Sequence, residues 1–238
     1  MKSRTEIQKW IDAHDINRRW QKVPIGHGLS VGSRERRQSF ERALPSLAHW
    51  QDSTYIAIGS MLGAMPFFAE EHGAEWSLGL DKRQQFIDLA SDIAGLKDSK
   101  CEFEQWDVLS GVRPKTHYKA DIVSLFNVIH HLPMPGFALQ QCLKMADRYF
   151  IIEYPVPDMK HQKYMDVPAK VTDTVKGWPV IMPFSNATQT GQLDTGFYYT
   201  PEAMALMVKW FGDWREVVSV QSPHRHDRWL QTFERYEL

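Results

Sequence analysis

The stretch "YIAIGSMLGA", residues 55–64, decides the fold that this sequence predicts. It begins as an apolar run, which is typical of a buried strand, and continues into a turn that contains Gly59 and Gly63. Glycine lets the chain turn sharply after a strand and lets the next helix pack close to it, and the amide groups between the two glycines face whatever lies over the helix N-terminus. The stretch therefore predicts a strand, a ligand-binding loop and a helix in succession.

The same alternation of strand and helix continues from about residue 54 to residue 153. Short β-rich runs separated by helices of about ten or more residues predict parallel strands that are joined by crossovers and covered by helices on both faces. After a last helix, the runs "WREVVSV" and "RWLQTFERYE" predict a terminal pair of strands with an antiparallel edge. The expected fold class is α/β, with a doubly wound, Rossmann-like and mostly parallel sheet.

The rest of the chain is predicted to surround this sheet. Residues 1–50 are expected to form an N-terminal helical cover, and residues 51–238 are expected to form the main domain. Within that domain, residues 155–199 hold five prolines and show no regular period. Because a stretch of this length is too long for an idle connection, we expect an insertion before the last helix that serves as a lid or an acceptor-binding segment.

Composition narrows the class of protein. The 28 basic and 29 acidic side chains nearly cancel, which disfavours nucleic acid as a bulk ligand but leaves room for a local basic patch. Two cysteines without CxxC spacing predict neither a disulfide framework nor a zinc site and fit a reducing cytoplasm. The histidines of "SPHRHDRW" lack the spacing of a metal site, so no metal is expected. No apolar run is long enough to span a membrane, so a soluble, intracellular protein without a membrane partner is expected.

Ligands of open α/β sheets bind outside the carboxyl ends of the strands, so the residues that follow each strand are the site candidates. Asp81 follows the second strand, about twenty residues beyond the glycine loop, where a carboxylate can accept hydrogen bonds from both hydroxyls of a ribose. Asp81 and Asp107 also have a simpler interpretation, since either can cap a helix or a turn. The predicted cofactor-binding residues, taken from four strand ends, are Gly59, Ser60, Gly63, Asp81, Asp107, Val108 and Asn127.

Four segments, in this order, resemble the class I S-adenosylmethionine-dependent methyltransferases: "IAIGSMLGAMPFFAEEHGA", "LGLD", "EQWDV" and "DIVSLFNVIHHL". The resemblance spans roughly residues 52–153 together with the final helix and strand pair. It implies a seven-stranded sheet whose last strand is antiparallel to the rest, and S-adenosylmethionine (SAM) as the cofactor. It also implies a methionine-side loop at Gly59, a ribose acid at Asp81 and an adenine edge at Asp107.

Two positions of the glycine loop depart from the pattern of this family. Ala57 stands where the first strand usually carries an acid, and Met61 stands where the loop usually carries a glycine. We therefore expect SAM to bind with altered contacts at its methionine end. A dinucleotide-binding fold is the competing interpretation, but the glycine spacing is not GxGxxG.

A narrower resemblance concerns the two ends of the chain. The segments "RRWQKVPIGHGLSVGSRERRQSFERAL" and "GFYYTPEAMALMVKWFG" resemble the group around the tRNA wobble-uridine oxyacetate methyltransferases. This resemblance implies a tRNA-modifying enzyme, for which the balanced charge gives no support.

Methyl transfer requires mainly that an acceptor atom is aligned with the methyl group and that water is excluded. A hydroxyl acceptor benefits from a base, and the predicted catalytic candidates are His131, His130 and Glu153. The two histidines can also be structural residues that backbone hydrogen bonds hold in place. An anionic acceptor oxygen needs no base but needs positive charge, for which the candidates are Arg34, Arg36, Arg37, Lys160 and Lys163.

The expected reaction is O-methylation of a small metabolite or a glycan-like acceptor. Its basis is that the tyrosine, tryptophan and proline of the insertion suit a pocket better than a phosphate track. Two alternatives stay open: a tRNA-modifying enzyme, and a non-catalytic binding module that keeps the fold, for which Ala57 and Met61 argue. The predicted acceptor-binding residues are Arg34, Tyr154, Trp178, Tyr198 and Tyr199.

Overall fold

Between residues 54 and 155, strands and helices follow one another in the order that the sequence predicts. The computed structural model of the protein describes residues 2–14, 16, 20–115, 119–157, 174, 177–187 and 193–236. In chain order the elements are α1 (Arg4–Ala13), β1 (Val23–Gly26), β2 (Leu29–Val31), α2 (Arg37–Glu41), β3 (Thr54–Ile58), α3 (Ala64–Glu71), β4 (Trp76–Asp81), α4 (Gln84–Lys97), β5 (Glu102–Gln105), β6 (Ala120–Phe126), α5 (Pro135–Met145), β7 (Ala146–Pro155), β8 (Ile181–Ala187), β9 (Leu193–Tyr199), α6 (Pro201–Lys209), β10 (Trp214–Gln221) and β11 (Arg228–Arg235).

A seven-stranded sheet runs through the middle of the structure in the order β10-β11-β7-β6-β3-β4-β5. Strand β3 is parallel to its neighbours β4 and β6, whereas β11 is antiparallel to both β7 and β10. This confirms the predicted doubly wound, mostly parallel sheet with an antiparallel last strand. The strand order reverses next to β3, so the carboxyl ends of β3, β4 and β6 meet at the edge where ligands of such sheets bind.

Alternate side chains of the central strands enter two apolar clusters, one on each face of the sheet. Ile56 and Ile58 belong to the cluster that α5 and α6 cover. Tyr55 and Ala57 belong to the cluster that α3, α4 and the N-terminal part cover. Ala57 is therefore buried among apolar side chains, where an unpaired carboxylate would be costly, and its replacement of the expected acid suits this packing.

The N-terminal cover contains a hairpin that the sequence did not lead us to expect. Strands β1 and β2 are antiparallel, with Val23 opposite Val31, and both of these side chains are buried. The turn between the strands consists of Gly26, His27 and Gly28, all at positive φ, a conformation that glycine adopts without strain. The helix predicted in "RERRQSFERAL" is limited to Arg37–Glu41.

The insertion before the last helix contains a second hairpin. Strands β8 and β9 are antiparallel, with Ile181 opposite Tyr199. The remainder of the predicted insertion lies largely outside the described residues, and so do Lys160 and Lys163. Thr200 Oγ1 accepts a hydrogen bond from the backbone N–H of Ala203 at 3.3 Å and caps α6, which begins at Pro201 as the sequence predicts.

Among the residues that the structure describes, no helix is both long enough and apolar enough to cross a membrane.

Candidate functional site

A cavity of about 440 Å³ opens at the carboxyl ends of β3, β4, β5 and β6, within the range typical of small-molecule sites. Its walls come from the segments that follow these four strands, from the N-terminal cover and from the connection between β10 and β11. Of the predicted cofactor-binding residues, five line this cavity, namely Gly59, Asp81, Asp107, Val108 and Asn127. Ser60 is buried and, like Gly63 at the start of α3, does not line the cavity.

The glycine loop is held in a left-handed backbone conformation at three positions. Gly59 has φ +72° and Gly63 has φ +81°. A Cβ added at Gly59 would overlap the side chain of Val128, and one added at Gly63 would lie 2.6 Å from Cζ of Phe103. Met61 has φ +49°, a left-handed conformation that glycine adopts without strain but that ordinarily costs a side-chain-bearing residue about 1–2 kcal/mol.

Asp81 fastens this loop to the end of β4. Its side chain is 4 % exposed. One carboxylate oxygen accepts a hydrogen bond from the backbone N–H of Met61 at 3.1 Å, and the other accepts one from the backbone N–H of Arg83 at 3.0 Å. The guanidinium Nε of Arg83 lies 3.5 Å from the same carboxylate. These hydrogen bonds explain how Met61 is kept in its strained conformation.

The segment after β5 supplies an apolar wall with an acidic rim. Trp106 and Val108 are buried, and the indole N–H of Trp106 donates to the carbonyl oxygen of Val112 at 2.7 Å. Asp107 lies between them, exposed, and its carboxylate accepts a hydrogen bond from the backbone N–H of Leu109 at 2.9 Å. The apolar wall suits an aromatic ring, and the carboxylate suits a polar group at the ring's edge.

Glu153 at the end of β7 is fully buried and does not line the cavity. One of its carboxylate oxygens accepts hydrogen bonds from the hydroxyls of Ser39 at 2.8 Å and Ser222 at 3.0 Å. The other accepts one from the side-chain amide of Asn127 at 2.6 Å, and Nη1 of Arg36 lies 3.9 Å away. The structure therefore makes Glu153 a junction of three segments, with no route to an acceptor in the cavity.

Asn127 is the junction's contact with the cavity. It has φ +57°, and its backbone N–H donates to the carbonyl oxygen of Glu153 at 2.7 Å. Its side-chain oxygen is buried and has no hydrogen-bond partner among the described residues. A hydrogen-bond acceptor that has no partner and lies at a cavity wall is suited to a ligand's N–H or O–H group.

The two histidines lie side by side on the cavity wall, with ring centroids 3.9 Å apart. His130 is buried, and its Nε2 lies 3.2 Å from a guanidinium nitrogen of Arg228. Because a guanidinium only donates, Nε2 must accept, and the proton of the neutral ring is on Nδ1. Burial, reinforced by the charge of Arg228, lowers the pKa of His130 well below its usual value, which agrees with a neutral ring. His131 is exposed to the cavity.

Four arginines line the same cavity. Arg34 and Arg36 come from the N-terminal cover, Arg225 comes from the connection between β10 and β11, and Arg228 is the first residue of β11. Arg36 is buried, and that burial lowers its pKa. The sequence points to Arg34 and Arg36, but sequence reasoning missed Arg225 and Arg228. The available signal was the antiparallel last strand, because its first residue lies at the edge where the parallel strands end.

The aromatic residues predicted for the acceptor are not brought to the cavity. Tyr154 and Tyr199 are buried in the core beside each other, with ring centroids 5.9 Å apart, and the hydroxyl of Tyr154 donates to Gln231. Tyr198 is buried as well, and Trp178 is exposed, but neither of these lines the cavity. Among the described residues there is no group of histidine, cysteine and carboxylate side chains placed to hold a metal ion.

No protein-family model matches the chain, and no curated protein matches its sequence. Its fold does match solved structures. The N-terminal domain of EvdMO1, in the presence of SAH and D-fucose, has a TM-score of 0.66 at 13% identity, over 100% of this chain and 98% of that chain. Magnesium protoporphyrin IX methyltransferase (ChlM) from Synechocystis PCC 6803, with bound SAM, has a TM-score of 0.59 at 13% identity, over 99% of this chain and 98% of that chain.

A SAM-dependent methyltransferase from Mesorhizobium loti has a TM-score of 0.57 at 14% identity, over 83% of this chain and 96% of that chain. At such low identity these likenesses establish the fold and not the reaction. The chain has the Rossmann-like fold of the class I SAM-dependent methyltransferases. The narrower likeness to the tRNA wobble-uridine group stays a prediction.

Proposed function

We propose that this protein is a SAM-dependent methyltransferase. The observation that carries the proposal is the cavity at the strand-order reversal, where the glycine loop, Asp81 and Asp107 come from three successive strand ends and face one space. Solved structures of the same fold contain SAM or SAH, which supports the same cofactor here. Met61 adopts a left-handed backbone conformation that glycine adopts without strain, so its side chain does not prevent this turn of the loop.

The residues around the cavity match the parts of the cofactor. Asp81 accepts from the ribose hydroxyls, the wall around Val108 holds the adenine ring with Asp107 at its edge, and Gly59 allows close approach to the methionine end. Asn127 offers its unpartnered side-chain oxygen to a donor on the ligand. Ser60 and Gly63 do not line the cavity, and their proposed role is to shape the glycine loop.

Bound SAM would supply a methyl group on a sulfonium, and transfer moves this group to the acceptor atom while the bonding electrons remain on sulfur. The protein's own part is to align the acceptor and exclude water. For a hydroxyl acceptor a base must remove the proton, and His131 is the candidate because its ring is exposed to the cavity. His130 is suited to donation from Nδ1, since its Nε2 already accepts from Arg228.

The acceptor that we propose is a small metabolite or a glycan-like molecule that is methylated on oxygen. The size of the cavity supports a small acceptor. A structure of the same fold was obtained in the presence of D-fucose, which supports a sugar-like one. Glu153, which is a junction of three segments, is proposed as a positioning residue for Asn127 and Arg36 rather than as the base.

A tRNA substrate remains the second candidate because basic side chains surround the cavity. Besides the four arginines, Lys82 and Arg83 line it. A phosphate backbone would be attracted to such a rim. A non-catalytic module is the third candidate, but Ala57 is accounted for by core packing and Met61 by its left-handed backbone conformation, which a hydrogen bond to Asp81 holds.

The test has two parts. Calorimetry should detect binding of SAM and SAH, and absence of binding to folded protein would refute the proposal. The protein is then incubated with methyl-labelled SAM and either a small-molecule extract or total RNA. Label in the small-molecule fraction supports the proposed acceptor class, whereas label in RNA alone would assign the tRNA function. Binding of SAM without transfer to either fraction would favour the non-catalytic module.

A further inference from the structure

The cavity has an excess of positive charge at the end formed by the N-terminal cover and the connection between β10 and β11. Four arginine side chains meet there, and two carboxylates, Glu153 and Asp227, lie close enough to influence their charge. Arg225 is paired with Asp227, with Nε 2.7 Å from a carboxylate oxygen. Because the two side chains are hydrogen-bonded to each other, most of the charge of Asp227 is balanced by Arg225.

Glu153 neutralises the remaining arginines incompletely. Its two oxygens already accept hydrogen bonds from Ser39, Ser222 and Asn127, and Arg36 approaches no closer than 3.9 Å. A charged pair at this distance is weaker than a hydrogen-bonded one. Arg36 therefore has Glu153 at long range, Asp227 farther away and three arginines around it.

In the described part of the chain, no carboxylate lies at salt-bridge distance from Arg228, and Asp227 and Glu153 act on it only from farther away. Among the residues that the structure describes, its guanidinium bonds to the neutral ring of His130, and its Nε is buried with no partner. Burial, followed by the charge of Arg225, lowers the pKa of Arg228 to about 10, so it stays charged at neutral pH in a site that disfavours the charge. A partly buried cation whose Nε is buried without a partner is stabilised by an anion that accepts its free N–H groups.

We infer that this end of the cavity binds an oxyanion, a carboxylate or a phosphate, that the methyl acceptor carries, and that Arg36 and Arg228 hold it. Guanidinium groups present planar pairs of N–H donors that match the oxygens of either anion. The Nδ1–H of His130 has no partner among the described residues and is a third donor at the same wall. The inference rests on the proposed function, and it adds that the acceptor is anionic.

The arrangement also explains why a fully buried carboxylate stands behind the site. Glu153 lies behind Arg36 without capturing it, because its oxygens accept hydrogen bonds from the serine hydroxyls and the amide of Asn127 while Arg36 stays 3.9 Å away. A closer carboxylate would neutralise the arginine and compete with an anionic ligand. The long separation between Glu153 and Arg36 leaves the guanidinium available to an anionic ligand.

The first experiment measures the oxyanion site directly. Inorganic phosphate is titrated by calorimetry into SAH-saturated protein, and the titration is repeated without SAH. We expect Arg228→Gln and Arg36→Gln to bind phosphate at least about tenfold more weakly than wild type. Arg215→Gln is the matched control, because it removes the same charge from an exposed side chain that pairs with Glu234 and does not line the cavity.

Arg228→Lys keeps the charge but removes the planar pair of donors, so it tests the geometry if a glutamine variant fails to fold. We expect its phosphate affinity to fall about fivefold or more, with circular dichroism unchanged. Equal phosphate affinity in Arg228→Lys, Arg36→Gln and the Arg215→Gln control would overturn the inference.

The second experiment asks whether the anion belongs to the acceptor. The small-molecule extract is passed over an anion exchanger, and the retained and unretained fractions are incubated separately with methyl-labelled SAM. Label in the retained fraction, reduced in Arg228→Gln at unchanged SAH affinity, supports the inference. Label confined to the unretained fraction would overturn it while leaving the methyltransferase function in place. Failure of wild type to bind SAM or SAH would remove the proposed function, and with it the assignment of the anion to a methyl acceptor.

Discussion

Replacing Gly59 by alanine should destabilise the protein through two separable effects. The first is backbone strain, because Gly59 has φ +72°, where a residue with a Cβ loses about 1–2 kcal/mol. The second is overpacking, because the new Cβ would overlap Cγ2 of Val128. Forcing an extra carbon into a packed site typically costs about 1–3 kcal/mol. The expected loss in the free energy of unfolding is the sum, about 2–5 kcal/mol.

The two effects can be separated by a double-mutant cycle with Val128→Ala. Truncating Val128 removes the atom that the new Cβ would meet, so the clash should disappear while the backbone strain stays. In the Val128→Ala background, Gly59→Ala should therefore cost only about 1–2 kcal/mol. The difference between the two backgrounds, about 1–3 kcal/mol, measures the close approach of the loop to the end of β6.

The measurement is urea unfolding, with Gly95→Ala as the matched control. Gly95 lies within α4, is exposed and has no atom within 4 Å of an added Cβ, so the same chemical change should stabilise the protein by about 0.4–1 kcal/mol. The two substitutions are therefore expected to change the free energy of unfolding in opposite directions. If Gly59→Ala were as harmless as Gly95→Ala, neither backbone strain nor contact with Val128 would constrain the loop, and the reasoning would be refuted. Calorimetry with SAH should also show weaker binding to Gly59→Ala.

Three further outcomes are expected. Asp81→Ala should weaken SAH binding by about 2 kcal/mol or more, since a carboxylate that also anchors Met61 is lost; unchanged affinity in a folded variant would contradict its assigned role. His131→Ala should lower turnover by about a hundredfold at nearly constant SAH affinity, and unchanged turnover would exclude it as the base. Backbone amides of the β8–β9 hairpin, a two-stranded sheet, should exchange hydrogen faster than those of β3 and slow when an acceptor binds; equal protection would count against a lid.

The sheet was predictable because its signals are local. Apolar runs such as the one that ends at Ile58 are bounded by glycine or by a charged residue, and helices of regular period lie between them. The position of Asp81 at the end of β4 followed from the same pattern. The hairpin of β1 and β2 was missed because its strands are three and four residues long, too short for a period to be recognised.

The meaning of the two departures in the glycine loop could not be predicted from the sequence. Whether Met61 distorts the loop depends on its partners, and the decisive one is a hydrogen bond to a carboxylate twenty residues away along the chain. Whether Ala57 removes a cofactor contact depends on which face of β3 it occupies. The structure places it in the apolar cluster under α3, so its neighbours are core side chains.

Most of the residues predicted for the acceptor do not line the cavity, for a related reason. The half of the cavity that the cofactor is proposed to occupy comes from the α/β units, in which each strand end leads directly into the site. The other half is assembled from both ends of the chain, since Arg36 comes from the N-terminal cover, Arg225 from the last connection and Arg228 from the start of β11. Their common link is Glu153, and no local pattern brings residues so far apart in sequence to one carboxylate. The residues that we propose for the anion of the acceptor therefore lie outside the α/β units, and Arg228 was missed because its role depends on the antiparallel last strand and not on a local pattern.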